Sequence, residues 1–99
     1  MDIDQVVRTD TETKARYALA LPGIDEEAEL TLSKVTPQLV IADHTFVPDA
    51  MRGKGVGGIL VNRLIADVRA KGQRIVPLCP YVRAQARKHK DEWADVIQW

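Results

Sequence analysis

The chain has 99 residues, which is enough for one small domain with a single core of two layers. It is 45% hydrophobic and 28% charged with zero net charge, a composition ordinary for a globular protein, and no apolar run approaches the roughly 18 residues that cross a bilayer. A lone Cys79 excludes an internal disulfide, and Cys and His do not cluster at metal-ligand spacing. We therefore expect one cytoplasmic domain over residues 1–99, with its ordered core at 14–98 and no metal.

The first part of the chain predicts strands. Residues 1–13 show no sustained period, so we expect a loose terminus or a short edge strand near residues 5–9. Apolar residues then alternate over 14–21, the pattern of a half-buried strand, which a Pro-Gly turn ends. The stretch 27–35 also alternates and is predicted to form a hairpin with the strand before it. Its apolar side consists of Ala28, Leu30 and Leu32.

A third strand is predicted at residues 38–46, after a turn at Thr36-Pro37. Residues 39–42 form a continuous apolar run, which is typical of a strand covered on both faces. We therefore expect this strand to be central in the sheet.

Helical periodicity follows. Apolar residues recur every four positions and predict an amphipathic helix of about four turns that ends near Gly72. Residues 74–78 predict a short strand whose Pro77 marks a bulge or an edge, and Pro80 begins another helix. The order predicts a β-meander followed by one right-handed βαβ unit. The apolar positions of the first helix are Val56, Leu60, Leu64 and Val68, and those of the tail are Trp93, Val96 and Ile97.

A glycine-rich stretch, residues 47–58, joins the third strand to the first helix. Four of the six residues at 53–58 are glycine, and each would cost about 1 kcal/mol inside a helix relative to alanine. They predict a turn instead. The helix that starts next presents unpaired N–H groups with a partial positive charge, so the stretch is predicted to bind an anion, with phosphate as the expected one.

Charge is distributed unevenly along the chain. Residues 1–51 hold ten acidic and four basic side chains, whereas residues 52–90 hold ten basic ones against Asp67 alone. A basic segment that starts at the glycine stretch favours a polyphosphate ligand, and the alternative is a solvated helix face of one sign. The basic residues are Arg52, Lys54, Arg63, Arg69, Lys71, Arg74, Arg83, Arg87, Lys88 and Lys90.

Two phosphate-binding motifs are disfavoured. The stretch contains no Walker A sequence. Gly53, Gly55 and Gly58 satisfy the dinucleotide pattern G-x-G-x-x-G, but the next strand ends without an acid for a ribose. The chain is also too short for a doubly wound sheet.

The sequence RGKGVG at residues 52–57 matches the signature R/Q-x-x-G-x-G/A of the GNAT acyltransferase superfamily, and it lies between a strand and a long helix as in that superfamily. The flanks HTFVP at 44–48 and VPLCPYV at 76–82 resemble the minimal GNAT-like proteins, which are of this chain's size. The resemblance covers most of residues 14–98. It implies an α/β GNAT-like acyl-CoA N-acyltransferase fold, with an antiparallel β-meander, one βαβ unit and a C-terminal helix.

The resemblance also implies that acetyl-coenzyme A binds with its pyrophosphate on the main chain of the glycine stretch and its pantetheine arm along the third strand. Larger GNAT enzymes carry one or two helices between their first strands, where this chain has only residues 22–26. The acceptor amine is therefore not identified. The predicted cofactor-binding residues are Phe46, Val47, Arg52, Gly53, Lys54, Gly55, Val56, Gly57, Gly58, Arg83 and Arg87.

Three residues are candidates for catalysis, each with a structural alternative. Cys79 is placed by the resemblance near the cofactor sulfur, but it is also a typical small buried residue. His44 is a candidate general base or a hydrogen-bonding residue at a strand end, and Tyr81 a proton donor to the leaving thiolate or a packing residue. We expect direct attack by the amine, with N–H groups near Phe46 and Val47 stabilising the oxyanion, rather than an acetyl-cysteine intermediate.

The expected partners are coenzyme A and an unidentified amine, without nucleic acid or membrane, and the protein is expected to be a monomer or a weak dimer. Two other functions stay open. One is a coenzyme A-binding or regulatory module without catalysis. The other is a basic nucleic-acid binder, for which the basic segment at residues 52–90 is the only support.

Overall fold

The structure, a computed structural model, describes residues 2–99 and contains one five-stranded sheet with two helices. The strand order is β1-β2-β3-β4-β5, antiparallel from β1 to β4 and parallel between β4 and β5, with the first helix as the crossover. This confirms the predicted meander followed by one βαβ unit and a C-terminal helix. The elements are β1 Val7–Asp10, β2 Lys14–Leu19, β3 Ala28–Thr36, β4 Leu39–Phe46, α1 Val56–Lys71, β5 Arg74–Pro77 and α2 Pro80–Lys88.

The core lies between one face of the sheet and the two helices. Alternate residues of β2 and β3 are buried there, as the alternation in the sequence predicted, and they pack in one cluster with the apolar stripe of α1. Each fully buried Leu, Ile or Val stabilises the fold by about 1.5–3 kcal/mol. The largest buried side chains include Tyr17, Leu30, Leu32, Leu60 and Leu64.

Strand β4 has a neighbour on each side, β3 and β5, as predicted for a central strand. Its two faces differ, however. Val40 and Ala42 are buried, whereas Leu39 and Ile41 are only half-buried. The prediction that both faces are covered is therefore wrong, because the helices pack with Val40 and Ala42 in one cluster that leaves Leu39 and Ile41 outside.

The N-terminal residues form an edge strand, which confirms that alternative over a loose terminus. Strand β1 pairs with β2, and Val6 is 3% exposed. The Arg63 guanidinium on α1 donates hydrogen bonds to the carbonyls of Ile3 and Val6, at 3.0 and 2.7 Å. Ordered structure thus begins before residue 14, where the sequence predicted the core to start.

The segment after α2 has no further helix, but Trp93, Val96 and Ile97 are buried as predicted. Ile97 forms a parallel bridge with Ile75 on the outer side of β5. Helix α1 ends at Gly72, which adopts a left-handed φ of 66°. Within residues 2–99, no helix is long and apolar enough to cross a membrane.

Candidate active site

A β-bulge in β4 changes which side chains face the helices. Thr31 pairs with His44 but the next residue of β3, Leu32, pairs with Ala42, so Asp43 is the extra residue. Before the bulge the even positions of β4 are buried. After it Thr45, which pairs with the core residue Leu30, takes the side of the helices.

Strands β4 and β5 part just beyond the bulge. Their pairing ends at Ala42 and Pro77, and the last main-chain bond between them runs from the Cys79 N–H to the Ala42 carbonyl at 2.9 Å. Strand β4 continues to Phe46 and pairs there only with β3. Its edge on the β5 side is therefore free to bond an extended ligand, as an added strand would.

A cleft of 360 Å³ opens beside this free edge. Its walls come from the end of β4, the glycine stretch and the start of α2. Arg52 is the one charged side chain among its described lining residues, so the cleft is mostly apolar with main-chain and hydroxyl groups. The lining residues are Thr45, Val47, Met51, Arg52, Gly53, Gly55, Val56, Gly57 and Tyr81.

The glycine stretch forms a turn that leads into α1, as predicted. Gly53 and Gly55 have φ of 80° and 76°, and Gly55 is the N-cap of the helix. Residues with side chains rarely adopt this region, so glycine is required at both positions. Within residues 2–99 no acceptor is found for the main-chain N–H groups of Gly53, Gly55, Val56, Gly57 and Gly58. Such a group of free donors at a helix start favours an anion.

Tyr81 lies directly over the first turn of α1. A Cβ added at Gly57 would be 2.5 Å from the Tyr81 hydroxyl oxygen, so the missing side chain makes room for the phenol. Burial raises the pKa of Tyr81 above its ordinary value. The phenol is therefore neutral at physiological pH and can donate a hydrogen bond into the cleft.

Cys79 lies behind the cleft wall rather than in it. The residue is 3% exposed, and its thiol contacts the Thr45 hydroxyl at 3.3 Å. Thr45 stands between Cys79 and the cleft, since it is half-buried and lines the cavity.

A family model described as GCN5-related N-acetyl-transferase matches residues 16–96, from β2 to the buried tail. The match spans most of the chain and includes every part of the cleft. The chain belongs to the GCN5-related N-acetyltransferase family. No curated protein matches it significantly.

In this member of the family His44 lies on the other side of β4 from Thr45. Its Nε2 is 3.7 Å from a carboxylate oxygen of Glu29, and its side chain is 57% exposed. It is not among the residues that line the cleft. The structure thus places the three candidates separately: Tyr81 in the cleft, Cys79 behind its wall and His44 on the open face of the sheet.

The predicted phosphate-binding cations also divide. Arg52 lines the cleft and pairs with the exposed Asp49 at 3.1 Å, and Lys54 is exposed beside it on the loop. Arg83 donates to the Pro77 carbonyl at 3.1 Å. Arg87 lies near the tail, beside Lys90 and Trp99, and does not line the cleft.

Much of the basic segment, residues 52–90, serves the fold of this chain. Arg63 pairs with Asp67 at 3.3 Å and Arg69 with Asp95 at 3.0 Å. Arg74 donates to the carbonyls of Asp95 and Ile97 in the tail. These three side chains hold chain segments together, so they are not available for direct contacts with a polyphosphate.

Two cleft residues were missed by sequence reasoning, Thr45 and Met51. Met51 is fully buried at the end of a 3-10 turn and forms the apolar floor. Thr45 was missed because strict alternation assigns it the same side as Leu39 and Ile41. Only the bulge at Asp43 reverses this.

Proposed function

We propose that the protein transfers the acetyl group of acetyl-coenzyme A to an amine that attacks the thioester directly. The observation that carries the proposal is the set of free N–H donors at the start of α1, which opens into a cleft bordered by the unpaired edge of β4. Membership of an N-acetyltransferase family supports it.

The residues present fit coenzyme A. The N–H groups from Gly53 to Gly58 suit the pyrophosphate, with the side chains of Arg52 and Lys54 beside them. The free edge of β4 near Phe46 and Val47 suits an extended amide-containing arm. When bound, acetyl-coenzyme A supplies an acyl group that is activated as a thioester.

The chain then provides two kinds of stabilisation. Main-chain N–H groups near Phe46 and Val47 donate to the oxyanion that develops as the amine attacks. Tyr81 lines the cleft, and its phenol would give a proton to the sulfur as the carbon–sulfur bond breaks and recover a proton from solvent afterwards. Cys79, behind Thr45, contributes polarity rather than a covalent intermediate.

His44 is the proposed general base on the side from which the amine approaches. It lies on the sheet face opposite the cleft, next to the carboxylate of Glu29. The two strands part beyond Ala42 and Pro77, and in this proposal the amine passes from the His44 side into the cleft through this gap. A neutral His44 can take the proton that the amine loses on acylation.

Two measurements test the proposal. Calorimetric titration with coenzyme A should show binding, and a panel of amines and peptides with acetyl-coenzyme A should release free thiol with at least one acceptor. Tyr81→Phe should keep the affinity for coenzyme A and lower kcat by roughly a hundredfold or more. An unchanged kcat would remove Tyr81 from the mechanism.

One observation favours a second candidate, a coenzyme A-binding module without catalysis. Only residues 20–27 connect β2 and β3, and they contain no helix that could wall an acceptor site. Tight binding of coenzyme A together with no thiol release from any acceptor in the panel would support this module.

A further inference from the structure

Thr45 connects the cleft to the buried thiol of Cys79. We propose that Thr45 contacts the sulfur end of the bound cofactor and that its hydroxyl donates a hydrogen bond to that sulfur. The contact with Cys79 fixes the orientation of this hydroxyl. The inference rests on the proposed function and deepens it, since it assigns a sulfur-recognition residue to the same cleft.

The position of Thr45 is set by the strand. The bulge at Asp43 and the pairing with Leu30 turn Thr45 toward the helices, where it lines the cleft. Its branched Cβ restricts the first side-chain torsion, so the hydroxyl has few alternative positions.

The direction of the hydrogen bond follows from the chemistry of the two groups. The thiol is buried, and within residues 2–99 Thr45 is its only polar side-chain partner. A hydroxyl has one proton and two acceptor sites, whereas thiol sulfur is a weak acceptor. The arrangement that satisfies both groups has the Cys79 S–H donating to Thr45 Oγ1 at 3.3 Å, which leaves the Thr45 proton for the cleft.

Cys79 is itself held from two sides. Its N–H donates to the Ala42 carbonyl at 2.9 Å, and its carbonyl accepts from the Arg83 N–H at 2.9 Å. The thiol therefore keeps its place while a ligand enters, and the Thr45 proton is oriented before binding. Preorganised donors of this kind need no rearrangement when charge develops on the sulfur.

The lining of the cleft indicates which part of the cofactor Thr45 meets. The free N–H groups and Arg52 lie on the loop and suit the phosphates. The wall formed by Thr45, Val47 and Met51 carries no charge and offers one hydroxyl. The sulfur of a thioester suits an uncharged wall with one hydroxyl donor. A phosphate does not, because its charge would be buried there without a cation.

The test compares coenzyme A with desulfo-coenzyme A, which lacks only the sulfur, by calorimetric titration of the wild type and three variants. The wild type should bind coenzyme A about two- to tenfold more tightly, the range of a net hydrogen bond. In Thr45→Val the ratio of the two affinities should fall to about one, because coenzyme A binds more weakly while the affinity for desulfo-coenzyme A is unchanged. Thr45→Ser should keep the ratio, and Cys79→Ala should reduce it because the hydroxyl is then free to turn.

A second readout separates recognition from packing. Because Thr45 donates to the sulfur, the thiol of bound coenzyme A should ionise at a lower pH in the wild type than in Thr45→Val, measured by thiolate absorbance against the ligand-free protein. Equal ratios and equal titration curves in the two proteins would overturn the role of Thr45. If the wild type binds neither ligand, the proposed function itself fails, which is a different outcome.

Discussion

The two ends of helix α1 use their hydrogen-bonding groups in opposite ways. In the first turn, the N–H groups of Val56, Gly57 and Gly58 have no acceptor within residues 2–99. About three turns later, the Asp67 carboxylate accepts from Tyr17 at 2.9 Å, from Arg63 at 3.3 Å and from Arg8 at 3.4 Å. The first end keeps its donors available and is called the open end, whereas the other, called the paired end, has the side chains of Asp67 and Arg69 paired.

Helix α1 thus carries groups suited to binding at one end and groups that stabilise the fold at the other. The paired end ties β1, β2 and α1 together, and burial raises the pKa of Tyr17, so its phenol stays neutral and acts as a structural donor. Val56 at the open end is buried in the core, but the unpaired N–H groups around it make no hydrogen bond within the fold and suit an anion. Changes at one end should therefore affect stability, and changes at the other affinity.

The largest expected effect is at the paired end. Asp67→Ala removes the common acceptor of Tyr17, Arg8 and Arg63, and it should lower the free energy of unfolding by about 2–3 kcal/mol. The affinity for coenzyme A should stay the same. Denaturant unfolding and calorimetric titration measure the two quantities. The matched control is Glu27→Ala, in an exposed pair with Arg16, which should cost less than about 0.5 kcal/mol. A large loss of affinity in Asp67→Ala would contradict the separation.

A substitution at the open end should reduce the affinity for coenzyme A. Gly55→Val places a branched residue at φ 76°, which strains the loop and moves its N–H groups, so the affinity for coenzyme A should fall at least tenfold, or about 1.4 kcal/mol. Gly23→Val is the control, since Gly23 has φ 79° and equally open space around its Cβ but lies in the turn after β2. Both should lose similar stability, measured by thermal unfolding. An affinity loss of the same size in Gly23→Val would assign the effect to destabilisation alone.

A smaller effect distinguishes the two adjacent glycines of the first turn. A Cβ at Gly58 meets nothing within 4 Å, so Gly58→Ala should raise the free energy of unfolding by about 0.5–1 kcal/mol through helix propensity and keep its N–H for the ligand. Gly57→Ala should gain nothing, because its Cβ would displace Tyr81. Chemical denaturation of the pair decides this, and equal gains would contradict the contact with Tyr81.

The smallest effect concerns pH and the pair of Arg8 with Asp10 on β1, next to the paired end of α1. Hydrogen bonds from Arg8 hold the pKa of Asp10 below its ordinary value of 3.8. A lowered folded-state pKa contributes stability above the unfolded value, and this contribution is lost as the pH falls below about 4. Asp10→Asn should therefore unfold with a shallower pH dependence in acid and differ from the wild type by less than about 1 kcal/mol at neutral pH. Parallel acid dependences would rule out this contribution.

Local patterns in the sequence were sufficient for most of the fold. The stripe of α1, its end at Gly72 and the alternation of Ala28, Leu30 and Leu32 each involve residues a few positions apart, so the periods of helix and strand reveal them. The glycine turn could also be predicted, because positive φ and free N–H groups follow from residue type and position.

Features that depend on distant residues could not be predicted. Arg8 and Asp67 are 59 positions apart, and nothing in either segment indicates their contact. The same holds for the pair of Arg69 with Asp95. From the sequence, Arg69 was assigned to the basic segment at 52–90 that was predicted to attract a polyphosphate. The side of the sheet on which Thr45 lies depends on a β-bulge, and the two-residue period of a strand does not reveal such an irregularity.

The parallel bridge between Ile75 and Ile97 protects one outer edge of the sheet. Ile75 donates its N–H to the Val96 carbonyl and accepts from the Gln98 N–H, at 2.7 and 2.8 Å, so the tail covers the outer edge of β5. Pro77 on the same strand has no N–H to offer. At the opposite margin, β1 is only four residues long and includes Arg8 and Asp10. Covered, proline-containing, short and charged strands are poor templates for another polypeptide, so the two outermost strands of the sheet, β1 and β5, are protected against pairing with a neighbouring chain.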